Sequence, residues 1–215
     1  MRKEGTKQYR YLAGVDEVGR GPIAGPVTVG IFLVPVHEKE NIGKMCKDSG
    51  ARDSKKMTEK KREVFVQECN KLLSRSDAHT NGKIFLASAS ASCIDRHGIM
   101  HALERAVQKV LKKVEAEGIS LEEVFFSLDA SLPFPLPTNQ YEHMTKGDEK
   151  EILISVASIF AKVHRDTLMK NYAKKYPQYG FEKHKGYGTQ QHYEAIRQYG
   201  CSPIHRTSWI RIDSA

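Results

Sequence analysis

The chain has 215 residues, enough for one domain of ordinary size with a small appended lobe. Its 34 Lys and Arg exceed its 26 Asp and Glu, and the formal charge of +8 favours polyanionic partners such as nucleic acid without proving one. The four scattered cysteines exclude the dense disulfide framework of small secreted proteins, and no apolar run approaches the roughly 20 residues that cross a bilayer, so we expect a cytoplasmic protein that binds no membrane.

Two apolar segments near the start of the chain predict strands. Residues 9–15 are mostly β-branched, aromatic or small, and they lead into Asp16, Glu17 and a glycine-rich turn. Residues 27–34 form a second apolar run that Pro35 ends. The polar stretch that follows, residues 37–52, predicts a loop.

A helix and a third strand are predicted next. Thr58 is a suitable N-terminal cap, and Phe65, Cys69 and Leu72 recur at i, i+4 and i+7. This spacing places one apolar stripe along a helix, which therefore packs by one face only. Residues 83–90 have the composition of a strand.

The longest predicted helix runs from Asp95 to Gly118, with apolar residues along one face. A compact apolar strand follows at residues 124–128. It delivers Asp129 at its carboxyl end, where open α/β sheets usually build their sites.

The last third of the chain begins with a weaker strand around residues 141–145, which leads into Lys146-Gly147-Asp148. Apolar residues then line one side of a helix within residues 152–163. A short helix at residues 190–199 belongs to a segment rich in Tyr, Lys, His and Gly. We interpret that segment as a small helical lobe that covers one edge.

Four acidic residues form the main candidate site: Asp16, Glu17, Asp129 and Asp148. Three of them lie at or just beyond predicted strand ends, where their charges would repel one another unless cations neutralise them. Hard ions such as Mg²⁺ or Mn²⁺ prefer carboxylate oxygens, and two such ions roughly 3.5–4 Å apart can activate water and stabilise the leaving oxygen of a phosphodiester. Acids at strand ends also form turns and helix caps, so spacing alone leaves a structural role open.

The pair Asp16 and Glu17 raises a geometric difficulty. On a regular strand, adjacent side chains point to opposite faces of the sheet. The first strand must therefore end or bulge there if both carboxylates serve one site.

The glycine-rich segment, residues 19–25, lacks the G-x-G-x-x-G spacing of a dinucleotide-binding loop, and an apolar strand follows it instead of a helix. Backbone approach to a polyanion is a better functional interpretation, because glycines remove side-chain bulk beside Arg20, which can donate several hydrogen bonds. A plain turn is the alternative.

Basic residues occur in clusters, most of which are expected to be solvated faces. Residues 179–187 interleave rings and glycine with cations, so that a ring can stack on a sugar or base while the cations hold phosphates. Cys93, His97 and His101 would align three zinc ligands on one helix, but an H-E-x-x-H motif and an evident fourth ligand are lacking.

Five blocks of sequence, taken together, are more specific than any of these features. They are Ala13-Gly14-Val15-Asp16-Glu17-Val18-Gly19-Arg20-Gly21-Pro22, Asp53-Ser54-Lys55-Lys56, Lys146-Gly147-Asp148, Ala157-Ser158-Ile159-Phe160-Ala161-Lys162-Val163-His164-Arg165-Asp166 and His184-Lys185-Gly186-Tyr187-Gly188-Thr189. The blocks resemble those of the ribonuclease HII family, occur in that family's order and extend from about Tyr11 to Trp209.

The resemblance implies an α/β fold with a ribonuclease H-like mixed five-stranded sheet flanked by helices. It implies a catalytic domain at residues 1–170 and a C-terminal helical extension packed on it at residues 171–215. It also implies an endonuclease that uses Mg²⁺ or Mn²⁺ to hydrolyse the RNA strand of RNA/DNA hybrids and to cut 5′ to single ribonucleotides in duplex DNA. Such an enzyme would act in replication and ribonucleotide excision repair, and we expect a monomer.

The same resemblance implies a role for each matching residue. The metal-binding catalytic carboxylates would be Asp16, Glu17, Asp129 and Asp148. The substrate contacts would be Gly19, Arg20 and Gly21 at the ribose 2′-hydroxyl, Tyr187 on the neighbouring deoxyribose, and Lys55 and Lys146 at phosphates. One departure is that Asp129 is followed by Ala130-Ser131, where the family usually has Gly-Asn, so the acid is kept while the turn beside it differs.

Two other functions stay open. A non-catalytic nucleic-acid-binding protein on the same fold would bind tightly, in a salt-dependent manner, without cleavage. A structure-selective DNA nuclease of the same superfamily would cut an all-DNA duplex equally well.

Overall fold

Five strands form one mixed sheet in the computed structural model, which describes residues 9–51, 57–73, 81–129 and 132–211. Neighbouring strands are antiparallel from β1 to β2 to β3 and parallel from β1 to β4 to β5. The order β3-β2-β1-β4-β5 confirms the expected sheet. The strands are β1 (Tyr11–Val18), β2 (Val27–Pro35), β3 (Lys83–Ala89), β4 (Val124–Asp129) and β5 (Tyr141–Met144).

Helices lie on both faces of the sheet and at its end, and those that the sequence predicted are confirmed. Across the described ranges they are α1 (Lys39–Asp48), α2 (Glu59–Leu73), α3 (Ala91–Ala116), α4 (Gly147–Lys150), α5 (Ile152–Lys175), α6 (Phe181–His184) and α7 (Gln190–Tyr199).

Different helices cover the two faces of the sheet. α3 packs on one face, where Leu103 joins an apolar cluster with Val15 and Phe126. α5 packs on the other face, where Ile159 joins a cluster with Phe32. Burial of apolar surface at roughly 25 cal/mol per Å² therefore stabilises the sheet from both sides and fixes it as a platform.

α5 lies very close to β1 at Gly14. A Cβ atom at this position would lie 2.1 Å from the backbone carbon of Leu153 and 2.2 Å from the backbone nitrogen of Ile154. Because only glycine lacks a Cβ, the main chain of α5 can rest directly on the main chain of β1. This contact brings Ser158, one helical turn beyond Ile154, to the end of β1.

Two sequence-based expectations are wrong. Residues 37–52 contain α1, because Ile42 and Cys46 are buried against the α5 side of the sheet, and tertiary packing stabilises a helix whose remaining residues are mostly polar. α3 begins at Ala91 rather than Asp95, since the Ser90 side chain accepts a hydrogen bond from the Cys93 backbone and caps the first turn.

The C-terminal residues pack against the end of α5. Met169 and Phe181 form an apolar cluster with Ile23 and Ala24, which come from the glycine-rich segment after β1. α5 continues through Lys175, so one helix spans the division predicted at residue 170, and that division stays a prediction. None of the described helices is both long and apolar enough to cross a bilayer.

Candidate active site

The sheet topology gathers several chain segments at one edge. β1 and β4 are parallel, and Val15 is opposite Leu128. The next residue on each strand, Asp16 on β1 and Asp129 on β4, therefore lies at the carboxyl end of its strand, beside the other. β2 is antiparallel to β1, so its first residues lie at the same edge. Two of the predicted carboxylates are therefore neighbours because the strands that carry them are neighbours.

Asp16 is buried at this edge, with 6% of its surface exposed. Its carboxylate accepts hydrogen bonds from the Glu17 backbone at 2.7 Å and from the hydroxyl of Ser158 on α5. Burial first, and then the negative charges of Glu17 and Asp129, raise the pKa of Asp16 to about 8. The site therefore holds more negative charge than its protein surroundings stabilise.

Asp129 and Asp148 are connected through the turn before α4. The backbone N–H of Gly147 donates to Oδ1 of Asp129 at 2.7 Å. A Cβ at Gly147 would lie 2.6 Å from Cδ1 of Ile154, so a glycine is needed for this close approach. The next residue, Asp148, is buried, with 3% of its surface exposed. The structure thus brings the turn that carries Asp148 to the end of β4.

Glu17 approaches from the other side of the sheet. β1 stays regular through Val18, with Glu17 opposite Val29, so the end or bulge that a shared site was expected to need is absent. The two acids still interact, because the charge of Glu17 raises the pKa of Asp16 and the charge of Asp129 raises the pKa of both. Alternation places Glu17 on the α3 side and Asp16 on the α5 side. Oε1 of Glu17 accepts a hydrogen bond from Nε of Arg20, and Oε2 is buried without a hydrogen-bond partner among the described residues.

The charge around Glu17 is also unbalanced. Burial raises the pKa of Glu17 above its ordinary value although Arg20 acts in the opposite direction, and the negative charge of Asp129 adds to the increase. Within the described ranges, no three His, Cys, Asp or Glu side chains converge in a way that could hold a metal ion. Even so, Asp16 and Glu17, whose pKa values are raised by burial and by neighbouring negative charge, are suitable oxygen ligands for a hard divalent cation, and one oxygen of Glu17 has no hydrogen-bond partner among the described residues.

The alternative zinc ligands are separated by a break in α3. Gly98, which lies between Cys93 and His101, has φ of 82° and interrupts the helix. The i, i+8 alignment therefore does not occur, although the rings of His97 and His101 still lie 4.9 Å apart. The break in the helix is thus a further argument against a zinc site, beside the missing H-E-x-x-H motif and fourth ligand.

Arg206 holds the glycine-rich segment from inside. It is fully buried, and its guanidinium donates to the carbonyl oxygens of Gly19 at 2.6 Å, Arg20 at 2.8 Å and Gly25 at 2.9 and 3.1 Å. The guanidinium group also lies over the ring of Trp209, with its carbon 4.9 Å from the ring centre, in a cation–π contact. Burial, and then the nearby charge of Arg165, lower the pKa of Arg206 to about 9.

Arg165, from α5, fixes the other end of the same segment. It is fully buried and donates to the carbonyl oxygens of Pro26 at 2.9 Å, Ala24 at 3.2 Å and Lys185 at 3.0 Å. A Cβ at Gly19, where φ is 98°, would lie 2.4 Å from Nε of Arg165. The two arginines therefore set the backbone conformation of the glycine-rich segment, and a side chain at position 19 has no room.

Tyr187 lies beside this segment. The backbone carbonyl of Gly186 accepts from Ile23 and Ala24, at 2.9 and 3.2 Å. A Cβ at Gly21 would lie 3.9 Å from Cε1 of Tyr187, whose side chain stays 47% exposed. The structure thus places Gly21 and the predicted stacking ring on one accessible surface, while Gly19 is buried behind them.

A layer of histidines supports Tyr187. Nδ1 of His192 is hydrogen-bonded to the Tyr187 carbonyl at 2.9 Å, and its Nε2 lies 3.0 Å from Nε2 of His205. His184 stacks on His192, with ring centres 4.2 Å apart. Burial lowers the pKa of His192 to about 4.

The two predicted phosphate contacts differ. Lys146 is exposed, in the left-handed conformation with φ of 55°, and its Nζ lies 3.9 Å from Glu149. It is free to reach a ligand, because an exposed pair of this kind holds its partners weakly. Lys55 lies outside the described residues, as do Ala130 and Ser131.

Three residues of the site were missed. Ser158, Arg165 and Arg206 act on the predicted residues through hydrogen bonds that no local pattern reveals. A signal was available for two of them, since Ser158 and Arg165 are polar residues in an otherwise apolar helix stripe. Arg206 gave no comparable signal.

This strand order, with carboxylates at the ends of β1 and β4, defines a protein of the ribonuclease H fold class. Known structures agree. Ribonuclease H2 from Pyrococcus horikoshii OT3 is 26% identical, with a TM-score of 0.68 and 93% of both chains covered. Bst-RNase HIII in complex with Mn²⁺ shares the fold at 15% identity, with a TM-score of 0.63 over 90% of this chain and 64% of that one.

The sequence comparisons are more specific. The family model described as Ribonuclease HII matches residues 13–212. Ribonuclease HII of Bacillus cytotoxicus is 41% identical over 99% of this chain and 72% of its own length, and ribonuclease HII of Bacillus subtilis is 38% identical over 97% and 73%. The chain therefore belongs to the ribonuclease HII family, and it is a type 2 ribonuclease H.

Proposed function

We propose that this enzyme hydrolyses the RNA strand of RNA/DNA hybrids and also cuts 5′ to single ribonucleotides embedded in duplex DNA, leaving 3′-hydroxyl and 5′-phosphate ends. One observation carries the proposal. Carboxylates lie at the ends of the neighbouring strands β1 and β4, and the glycine-rich segment that directly follows β1 has the exposed ring of Tyr187 beside it. The first can cut a phosphodiester, and the second can recognise the sugar next to it.

The catalytic carboxylates in this proposal are Asp16, Glu17, Asp129 and Asp148, which would hold Mg²⁺ or Mn²⁺. When bound, two such ions supply an activated water and stabilise the leaving oxygen. Ser158 orients Asp16, and the Gly147 backbone orients Asp129, so both acids present fixed oxygens. Glu17 needs only to leave Arg20 to offer both of its oxygens.

Recognition of the ribose follows from the orientation of two peptide groups. Arg206 binds the carbonyl oxygens of Gly19 and Arg20, which therefore point inward. The described chain has no cis peptide bond, so the N–H of each of these peptide groups points the opposite way, towards the surface beside Tyr187. The N–H groups of Arg20 and Gly21 are thus available to a 2′-hydroxyl, which distinguishes RNA from DNA.

Tyr187 and Lys146 complete the proposed substrate surface. The exposed ring of Tyr187 would stack on the deoxyribose next to the ribonucleotide, and Lys146, with Lys55, would position phosphates. A monomer in the cytoplasm is the simplest setting for this activity, and removal of ribonucleotides from replicated DNA is its simplest use.

The test compares three duplexes in Mg²⁺ or Mn²⁺: a hybrid, a DNA duplex with one ribonucleotide and an all-DNA control. We expect cleavage of the first two, with the cut 5′ to the ribonucleotide in the second. Asp129→Asn is a suitable inactive variant, because its Oδ1 can still accept from Gly147 and keep the turn in place. Asp48→Asn, an exposed change of equal charge on α1, serves as the matched control.

The other outcomes identify the alternatives. Salt-dependent binding without cleavage of any duplex would indicate a binding protein. Equal cleavage of the all-DNA control would indicate a DNA nuclease.

A further inference from the structure

A second polar pocket lies at the same edge of the sheet as the carboxylates. β2 begins at this edge, and its first residue, Val27, is opposite Ala89, the last residue of β3. The end of β3 and the start of α3 therefore lie beside the candidate active site. Between them and α5 is a cavity of about 380 Å³.

The lining of this pocket is basic and hydroxyl-rich. It includes Ser88, Ser90, Arg105, Lys109 and Tyr172, and none of the described residues that line it is acidic. Arg105 and Lys109 are one helical turn apart on the same face of α3, so their charges add. Two adjacent cations without an acid favour an anion, and the volume is ample for a phosphate group.

The pocket is joined to the glycine-rich segment by Pro26, which lines it. The carbonyl of Pro26 accepts from Arg165 at 2.9 Å, and a Cβ at Gly19 would lie 2.7 Å from that same carbonyl oxygen. The pocket and the segment proposed to bind the ribose therefore lie on either side of one peptide group.

The distance between the two sites fits the spacing of a nucleic acid. Neighbouring strands lie about 4.8 Å apart, so the end of β3 is about 10 Å from the end of β1. One strand of a B-form duplex advances about 3.4 Å per nucleotide along the helix axis, and its phosphates lie farther apart than this because the backbone winds around the axis. A phosphate in the pocket would thus be at most about three nucleotides from the bond that is cut.

A structural role explains only part of this lining. β3 is an edge strand, and two lysines of α3 bind its backbone carbonyls: Lys109 that of Ser88 at 3.3 Å and Lys113 that of Leu86 at 2.7 Å. Such contacts protect a sheet edge from pairing with another strand. Arg105 makes no corresponding contact among the described residues, although it continues the same row of cations.

We propose that this pocket binds one backbone phosphate of the substrate duplex, within about three nucleotides of the cleaved bond, with Arg105 as its main ligand and Lys109 as its second. The inference rests on the proposed function, because it assumes a duplex seated across the sheet edge. A phosphate contact of this kind does not depend on the base sequence or on the sugar, and it would position the duplex relative to the carboxylates.

The binding test uses Arg105→Gln in the full chain and a DNA duplex with one ribonucleotide, without divalent cations. Fluorescence anisotropy should show affinity weakened about tenfold, and a slope of log affinity against log salt that is smaller by about one. Lys112→Gln removes an equal charge from an exposed position of α3 outside the pocket and is the matched control. Equal effects of the two variants would indicate only diffuse charge and would overturn the proposal.

The cleavage test localises the contact. In Mg²⁺, Arg105→Gln should raise KM about tenfold on a long duplex and leave kcat unchanged, as expected for a contact that only holds the substrate. On duplexes shortened stepwise from either end, the difference from wild type should vanish when one end comes within about three nucleotides of the cleaved bond, because the bound phosphate is then missing. A difference that persists however far either end is shortened would contradict the proposal. If wild type fails to cleave, the proposed function fails, while the anisotropy result still decides the pocket.

Discussion

The carboxylates at the sheet edge and the arginines behind the glycine-rich segment are both ionisable groups removed from solvent. They differ in whether neighbouring groups of the protein stabilise the charge. Arg165 and Arg206 each donate to three backbone carbonyl groups. Asp16 and Glu17 have neighbours of the same sign, and the pKa of each is raised. The charges of the arginines are balanced within the folded protein, whereas those of the carboxylates are not, and in the proposed function an added cation would balance them.

The difference separates two tasks of the protein. A buried charge with a full set of hydrogen bonds rigidifies the chain around it, although its desolvation limits any net stabilisation. A buried cluster of like charges lowers stability until a ligand of opposite charge binds. The arginines therefore fix the backbone of the glycine-rich segment, whereas the proposed role of the carboxylates is to bind metal ions. Each variant below changes one side of this comparison.

The largest effect is expected for Asp16→Asn. Losing a group that acts directly at the reacting atoms should slow cleavage on the order of 10³-fold. At pH 8 and above, where the carboxyl group of Asp16 ionises, the same change should stabilise the metal-free protein, because it removes a buried negative charge. Rates on the ribonucleotide duplex and thermal unfolding without divalent cations measure the two effects, which should have opposite signs.

The pH dependence provides a further check on Asp16. Its folded-state pKa of about 8 is raised, so its stabilising contribution is complete below the unfolded-state pKa near 3.9 and is lost as the pH rises towards 8. Metal-free wild type should lose roughly 1–2 kcal/mol between pH 6.5 and pH 8. Asp16→Asn should not, and Mg²⁺ should raise the melting temperature of wild type more than that of the variant. A steeper pH dependence in the variant would contradict this account.

The second effect concerns the arginine region, through Arg206→Lys. An ammonium group cannot reach three separated carbonyls as the guanidinium fork does, so buried acceptors of Gly19, Arg20 and Gly25 lose partners. We expect a loss of about 2–4 kcal/mol in the free energy of unfolding. In contrast to Asp16→Asn, which should stabilise the metal-free protein, this change should destabilise it and raise KM. Denaturant titration beside steady-state kinetics distinguishes these changes.

The smallest effect is an acid sensitivity of the histidine layer under Tyr187. Burial lowers the pKa of His192 to about 4, so its contribution is complete above the unfolded-state pKa near 6.5 and is lost as the pH falls towards 4. Wild type should lose roughly 2 kcal/mol between pH 6.5 and pH 5. His192→Gln should flatten this limb and leave the change between pH 6.5 and pH 8 intact. The same loss of stability in wild type and variant between pH 6.5 and pH 5 would show that His192 does not titrate in this way.

Much of the fold and the acidic set could be predicted because both depend on local pattern. Asp129 ends an apolar run, and Asp148 follows a weak strand, so strand order alone brings their segments together. The face on which Glu17 lies was not predictable, because it depends on β1 staying paired with β2 through Val18. Burial of Arg206 depends on contacts with carbonyls about 180 residues away in sequence.

The missed helix α1 illustrates the same limit. Its composition is that of a loop, and only the apolar surface of a distant segment makes the helical conformation favourable.

The contact at Gly14 determines how much this enzyme can vary. Where a helix rests on a strand through side chains, any substitution in the layer between them alters their separation. Here main chain rests on main chain, so the separation is independent of the residues on either side. Substitutions at core positions further along β1 and α5 should therefore leave this contact in place, so that the hydroxyl of Ser158 and the carboxylate of Asp16 keep their register.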